Sequence, residues 1–207
     1  MQRNTDFTDD SYVYLLDGGQ TITSLKKICY PLSRHLLDLV LEKQLKQECE
    51  KQLELELPEF LCSRKIPLRS VWQHEARNFS LWLSENIDIL SEFLGCRFSK
   101  VEREYPAGGL KADLVAEDIS GKLTVIENQL EQSDHDHLGK LITYLAYTGA
   151  KTAVWIVADP KPEHQGVITW LNKNQLASFY LLKIEVMLFP QNCSINAVLT
   201  QVCGPNQ

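Results

Sequence analysis

The chain has 207 residues, 44% of them hydrophobic and 23% charged, with a formal net charge of −6. That length accommodates one well-buried α/β domain with an appendage, and the composition excludes a disordered chain. No apolar run is long enough for a membrane span, the first residues MQRNTDFTDD lack a signal-peptide pattern, and six scattered cysteines without a C-x-x-C pair read as buried thiols, so a cytoplasmic protein is expected.

The first seventy residues differ from the rest. Tyr12–Leu16, the turn Asp17-Gly18-Gly19 and Thr21–Thr23 suggest a small hairpin. From about Leu32 to Leu57 an amphipathic helix follows, with Leu36, Leu37, Val40, Leu41, Leu45, Cys49 and Leu53 on one stripe. Such a stripe packs on its own domain or on a partner helix, a homodimer seam being the sharper alternative. Pro58 ends this helix and Pro67 marks a second break. Residues 1–70 are therefore read as an extension and residues 71–207 as the main domain.

The spacing of Trp72, Ala76, Phe79, Leu83, Ile87, Leu90 and Leu94 predicts a helix over Trp72–Leu94, stopped by Gly95, with Glu75 at an edge of its apolar face. Arg97–Tyr105 forms a strand, and Pro106-Ala107-Gly108-Gly109 turns the chain. A hairpin follows, Asp113–Ala116 and Leu123–Ile126, folded back over Asp118–Lys122. A turn centred near Ser120 sets Asp113 opposite Glu127, and the period of two brings Gln129 to the same face. Two carboxylates side by side among apolar neighbours suit a hard divalent cation.

The stretch Asp113–Asp136 holds seven acids against Lys122 alone, which equals the net charge of the whole chain. The remainder is balanced, so the acidic total does not exclude a nucleic-acid partner.

Ser133-x-x-Asp136 has a capping-box pattern and opens a helix running to about Tyr147. Leu138, Leu141, Ile142 and Leu145 form its buried stripe, while His137, Lys140 and Tyr144 fall together on another side. His135 and His137 are two apart, which is wrong for a helical zinc pair; they suit phosphate contact or capping. Lys151–Ala158 reads as a buried central strand, Pro162–Asn172 as a helix, and Phe179–Phe189 and Asn196–Val202 as strands. The order of elements gives an α/β sandwich around a mixed sheet.

Asp113, then Glu127-x-Gln129, after a helix bearing Glu75 and before one bearing Lys140, resembles the PD-(D/E)xK nuclease superfamily. The run Ile126-Glu127-Asn128-Gln129-Leu130-Glu131, with Asp134-His135-x-His137-Leu138-Gly139, Val154–Val157, His164 and Trp170-Leu171-Asn172, is similar to a group of prokaryotic proteins with an endonuclease-like domain. The resemblance covers about Val71 to Val202. It implies a restriction-endonuclease-like three-layer core, in which a mixed sheet carrying the metal-site hairpin lies between helices.

It further implies Mg²⁺ or Mn²⁺ on Asp113 and Glu127, with the Asn128 carbonyl as a further ligand. Glu75 would complete a second metal position or orient a water. Gln129 stands where the superfamily usually has lysine, and Lys140 is the candidate for that migrated role. The helix starts near Ser133 and Pro162, with His135, His137 and His164, become candidate phosphate contacts. The implied activity is hydrolysis of phosphodiester bonds, in DNA rather than RNA. The alternative is a weak or inactive nuclease-fold module that binds nucleic acid or protein and assembles through its N-terminal helix.

Overall fold

Eight strands hydrogen-bond into one mixed sheet in a computed structural model that describes residues 26–32, 64–174, 176–189 and 194–205. The elements run β1 (Lys27–Pro31), β2 (Arg64–Ile66), α1 (Leu68–Val71), a π-helical turn (Glu75–Phe79), α2 (Ser80–Glu85) and α3 (Asp88–Leu94). They continue with β3 (Phe98–Ala107), β4 (Leu110–Asp118), β5 (Leu123–Gln132), α4 (His135–Thr148), β6 (Thr152–Asp159), α5 (Pro162–Lys173), β7 (Ser178–Phe189) and β8 (Ser194–Cys203). The strand order is β1-β8-β7-β6-β5-β4-β3, and β2 lies along the end of β7. Strands β5, β6 and β7 are parallel, joined by α4 and α5, the crossovers that parallel neighbours require. All other pairings are antiparallel.

Local chemistry explains the turns that aim the hairpin. Gly108 and Gly109 both adopt positive φ, 61° and 82°, and close the β3–β4 connection as a two-residue turn. Pro106 and Ala107 therefore stay in the strand. At the other end Asp118 folds over its own turn, its carboxylate accepting from the N–H groups of Ser120 (2.7 Å) and Lys122 (2.9 Å).

Alternate residues of the central strands feed two apolar clusters, one on each face. Leu114, Ile126, Val154, Ile156 and Leu182 pack with Trp72, Phe79, Trp82, Leu83 and Leu90. Val115, Val125, Trp155, Val157 and Leu181 pack with Leu138, Leu141, Tyr144 and Leu145 of α4 and Ile168 of α5. Among the described residues no helix is long and apolar enough to cross a membrane.

Two expected helices are altered. The continuous helix over Trp72–Leu94 is broken at Trp72–His74 and again at Asn86, where φ and ψ leave the helical region. Asparagine side chains compete for the backbone at both places. Asn78 Oδ1 accepts from the His74 N–H at 2.9 Å, and Asn86 donates to the Trp82 carbonyl at 2.8 Å. In α4 the cap is Asp134, whose side chain accepts the His137 N–H, and not Ser133, which is turned into the core.

The hairpin over Tyr12–Thr23 and the amphipathic helix after Leu32 lie outside the described residues. The described pieces before Val71 include β1 and β2, which pair with β8 and β7. The boundary at residue 70 thus does not separate them from the sheet.

Candidate metal centre

The sheet opens between β4 and β5 at the end away from the Asp118 turn. Their ladder ends at Leu114↔Ile126, and the next step of that register sets Asp113 beside Glu127. There the Asp113 carboxylate, not a backbone carbonyl, accepts the Asn128 N–H at 2.8 Å. The next N–H on the same edge of β5, that of Leu130, donates to Glu75 Oε2. Three acids from separate elements therefore line one gap.

Glu75 reaches it from the π-helical turn, a local geometry that often re-aims a functional side chain. Arg69 steadies Glu75, with Nη2 at 3.3 Å from its carboxylate and 2.9 Å from that of Glu131. Arg103 donates to the Ala76 carbonyl at 2.9 Å and ties β3 to the same turn.

Glu127 is the most exposed to electrostatic cost because it is the least exposed to water. It is 3% accessible and its Oε2 has no hydrogen-bond partner. Burial, and then the charge of Asp113, push its carboxyl up to about 9, with Lys140 opposing the shift. Asp113 is raised to about 6 by burial, against the favourable Asn128 N–H, with Glu75 and Glu104 adding repulsion.

The neighbours of Glu127 divide between the two faces. The Asn128 N–H faces Asp113, and in a strand the carbonyl of the same residue points to the same edge. The Asn128 side chain goes to the opposite face, donating to Ser80 Oγ at 2.9 Å and anchoring β5 on α2. Gln129 donates its amide to the Gln132 carbonyl and to Asp134 Oδ2, both at 2.7 Å. Its Oε1 is buried without a partner. Gln129 can therefore orient a water only as an acceptor.

Lys140 lies partly buried on α4, close enough to Glu127 to favour its ionised form. Tyr144, on the same side of the helix, donates to the Lys111 carbonyl at 2.8 Å; burial and then the charge of Glu127 raise its phenol to about 12. His137 is held on Asp134 Oδ1 by both its backbone N–H and its ring Nδ1, each at 2.8 Å.

His164 does not face outward as a phosphate contact would. Its ring is 0% accessible and both nitrogens are engaged, Nδ1 with Ser133 Oγ at 2.7 Å and Nε2 with His135 Nδ1 at 3.0 Å. His135 itself is exposed.

Sequence reasoning missed Glu104, Arg69 and Asp134. Glu104 is the one non-glycine residue with positive φ among the described residues, at 52°, and such strain is frequent at functional sites. Nothing in a glutamate within a strand announces that conformation. Asp134 carried a signal, since Asp is as good a cap as Ser.

Among the described residues no three His, Cys, Asp or Glu side chains are gathered so as to hold a metal ion by themselves. Asp113 and Glu75 are turned onto backbone N–H groups instead. The donor chemistry nevertheless fits a hard divalent cation. A partnerless buried carboxylate oxygen on Glu127, the Asp113 carboxylate and the Asn128 carbonyl offer oxygen ligands, and Mg²⁺ keeps several of its own waters.

No protein-family model matches the chain, and no curated protein does. Among solved structures it is similar to a repair endonuclease from Pyrococcus abyssi, with a TM-score of 0.38 and 14% identity over 44% of this chain and 41% of that one. It is also similar to SfsA from Pyrococcus furiosus, solved in complex with Ca²⁺, with a TM-score of 0.35 and 20% identity over 59% of each chain. The chain thus spans less than two thirds of either protein.

Proposed function

We propose that this chain is a metal-dependent nuclease that hydrolyses phosphodiester bonds in DNA, with Mg²⁺ or Mn²⁺ as the ion. The observation that carries this reading is the buried Glu127 carboxylate, without a partner for Oε2, beside Asp113 in the split between β4 and β5. A buried acid in that state is destabilising unless something neutralises it. Asp113, Glu127 and the Asn128 carbonyl would hold the ion, with Glu75 beside them.

A divalent ion held there would supply positive charge that favours deprotonation of water and offsets negative charge on the scissile phosphate. The protein's own groups do the rest. Gln129 Oε1 accepts a hydrogen bond from the attacking water and so turns its lone pair toward phosphorus. Lys140 offers positive charge to the phosphoryl oxygens as negative charge develops. Asn128 and Ser80 hold β5 in place from the other face.

The test is cleavage of plasmid, single-stranded DNA and RNA with Mg²⁺ or Mn²⁺, comparing the wild type with Asp113→Ala and Glu127→Ala. Each substitution is expected to lower cleavage by at least ~100-fold. Cleavage that survives both, or none with any metal, would sink the catalytic reading. Lys140→Ala should lower kcat with little change in KM; unchanged kcat would remove Lys140 from the mechanism.

One observation favours a second reading, a nuclease-fold module that binds without cutting. The amide nitrogen of Gln129 is spent on Asp134 and Gln132, so no cation stands at that position in β5. Nucleic-acid binding that needs no metal, in a protein that never cleaves, would establish that alternative.

A further inference from the structure

Beside the carboxylate gap, three side chains form a hydrogen-bonded row that the metal chemistry does not use. Ser133 and His164 are fully buried, and His135 sits above them at the first turn of α4. The row runs Ser133 Oγ to His164 Nδ1 at 2.7 Å, then His164 Nε2 to His135 Nδ1 at 3.0 Å. Trp155 packs against the His164 ring at 5.3 Å between centroids.

Hydrogen-bond accounting fixes the protons. Ser133 Oγ already accepts from the Lys161 N–H at 2.9 Å. A buried hydroxyl must also donate, and among the described residues the acceptor in reach is His164 Nδ1. Burial, then the neighbouring His135, hold His164 below the usual imidazole value, so the ring is neutral. A neutral ring with a bare Nδ1 carries its hydrogen on Nε2 and donates it to His135 Nδ1. His135, its Nδ1 accepting that hydrogen, carries its own on Nε2, a nitrogen with no partner among the described residues.

We propose that His135 is a contact for a nucleic-acid phosphate, and that His164 and Ser133 are positioning residues that place its proton on Nε2. The inference rests on the nucleic-acid reading above and sharpens it. Of the three histidines, His135 touches the substrate, His164 acts through it, and His137 belongs to the Asp134 cap. The location supports a phosphodiester oxygen as acceptor. The first turn of α4 is capped by Asp134 and carries Asp136, and both Glu163 and Lys161 act at His164, so it is the His135 Nε2–H itself that would meet the phosphate oxygen. One residue along, Asp134 is bonded to Gln129, so the row stands next to the proposed reaction centre.

Two measurements test this. The first is a long-range ¹H–¹⁵N spectrum of the histidine rings in the full chain. His135 and His164 are both expected as Nε2–H tautomers, and Ser133→Ala should move His164 toward Nδ1–H. A His135 with its proton on Nδ1 in the wild type would overturn the proposal.

The second is fluorescence anisotropy with a labelled duplex oligonucleotide, with Ca²⁺ replacing Mg²⁺ so that the probe stays intact. His135→Ala should weaken binding about tenfold. His135→Gln, which keeps an N–H donor, should recover part of the loss, and Ser133→Ala should weaken binding severalfold with both rings in place. Unchanged affinity in His135→Ala would overturn the contact and leave the nuclease reading standing. A wild type that binds no nucleic acid would overturn both.

Discussion

Glu127 carries the clearest energetic signature of any single residue. An acid whose folded pKa lies above its unfolded value binds more protons in the native state, so its contribution to stability falls as pH rises between the two values. For Glu127 that window runs from its ordinary 4.5 to about 9. Replacing it with glutamine removes the ionisation and keeps the shape. Glu127→Gln is therefore expected to melt several degrees above the wild type at pH 8 without metal, with the gap closing toward pH 5. Calorimetry in EDTA checks this. A variant no more stable than the wild type at pH 8 would mean that the carboxylate is already solvated or paired. Mg²⁺ should narrow the difference by stabilising the wild type more than the variant. The opposition of Asp113 and Glu127 was legible because a turn centred at Ser120 fixes the register of every residue around it. The amide of Gln129 was not legible, because its partners Gln132 and Asp134 lie beyond the last regular pair of β5 and depend on where the chain bends into α4.

At the scale of the element, α4 joins cap, site and sheet. Asp134 caps the helix through His137 with one oxygen and holds Gln129 with the other. Asp134→Ala should cost about 1 kcal/mol for the cap and a further ~1–2 kcal/mol for the stranded Gln129 amide. For a chain of this length each kcal/mol is roughly 2–4 °C in Tm. A fall of about 5–10 °C is expected, with Asp134→Asn losing less because its amide oxygen can still cap. A thermal melt separates these outcomes, and an unchanged Tm in Asp134→Ala would show that the first turn holds without its cap. Helix α4 was readable from Leu138, Leu141 and Leu145, but Ile142 is exposed and Tyr144 is buried in the place expected of it, and the cap was misplaced by one residue because Ser133 and Asp134 are both good caps. Ser133 is drawn away by His164 and Lys161, partners 28 or more residues distant that no local pattern encodes.

Across the whole molecule, the sheet was most legible where burial on both faces wrote a continuous apolar run, as in Thr152–Asp159, and least legible at its margin. Strands β1 and β2 have five and three residues, include Lys27, Pro31, Arg64 and Lys65, and are defined by the edges of β8 and β7 that they cover. The helical layer against the Glu75 side was misread for a related reason. Its apolar spacing is genuine, but Trp72, Phe79 and Trp82 pack ring on ring, with centroids of Trp72 at 4.8 Å from Phe79 and 4.9 Å from Trp82, and that cluster fits a broken path better than a straight helix. Trp72 is 0% exposed and immediately precedes the segment that delivers Glu75 to the gap. Trp72→Ala is thus expected to cost about 3–5 kcal/mol, a fall near 10 °C in Tm. Because the π-helical turn rests on that ring, the variant should also bind divalent metal more weakly at temperatures where it remains folded. Trp170→Ala is the control, since Trp170 is 62% exposed and its loss should leave Tm within about 1–2 °C. Calorimetry with metal titration on both variants checks the link. A Trp72→Ala protein that melts early yet keeps wild-type metal affinity would separate this core from the site, and Glu75 would then have to be held by Arg69 and the Leu130 N–H alone.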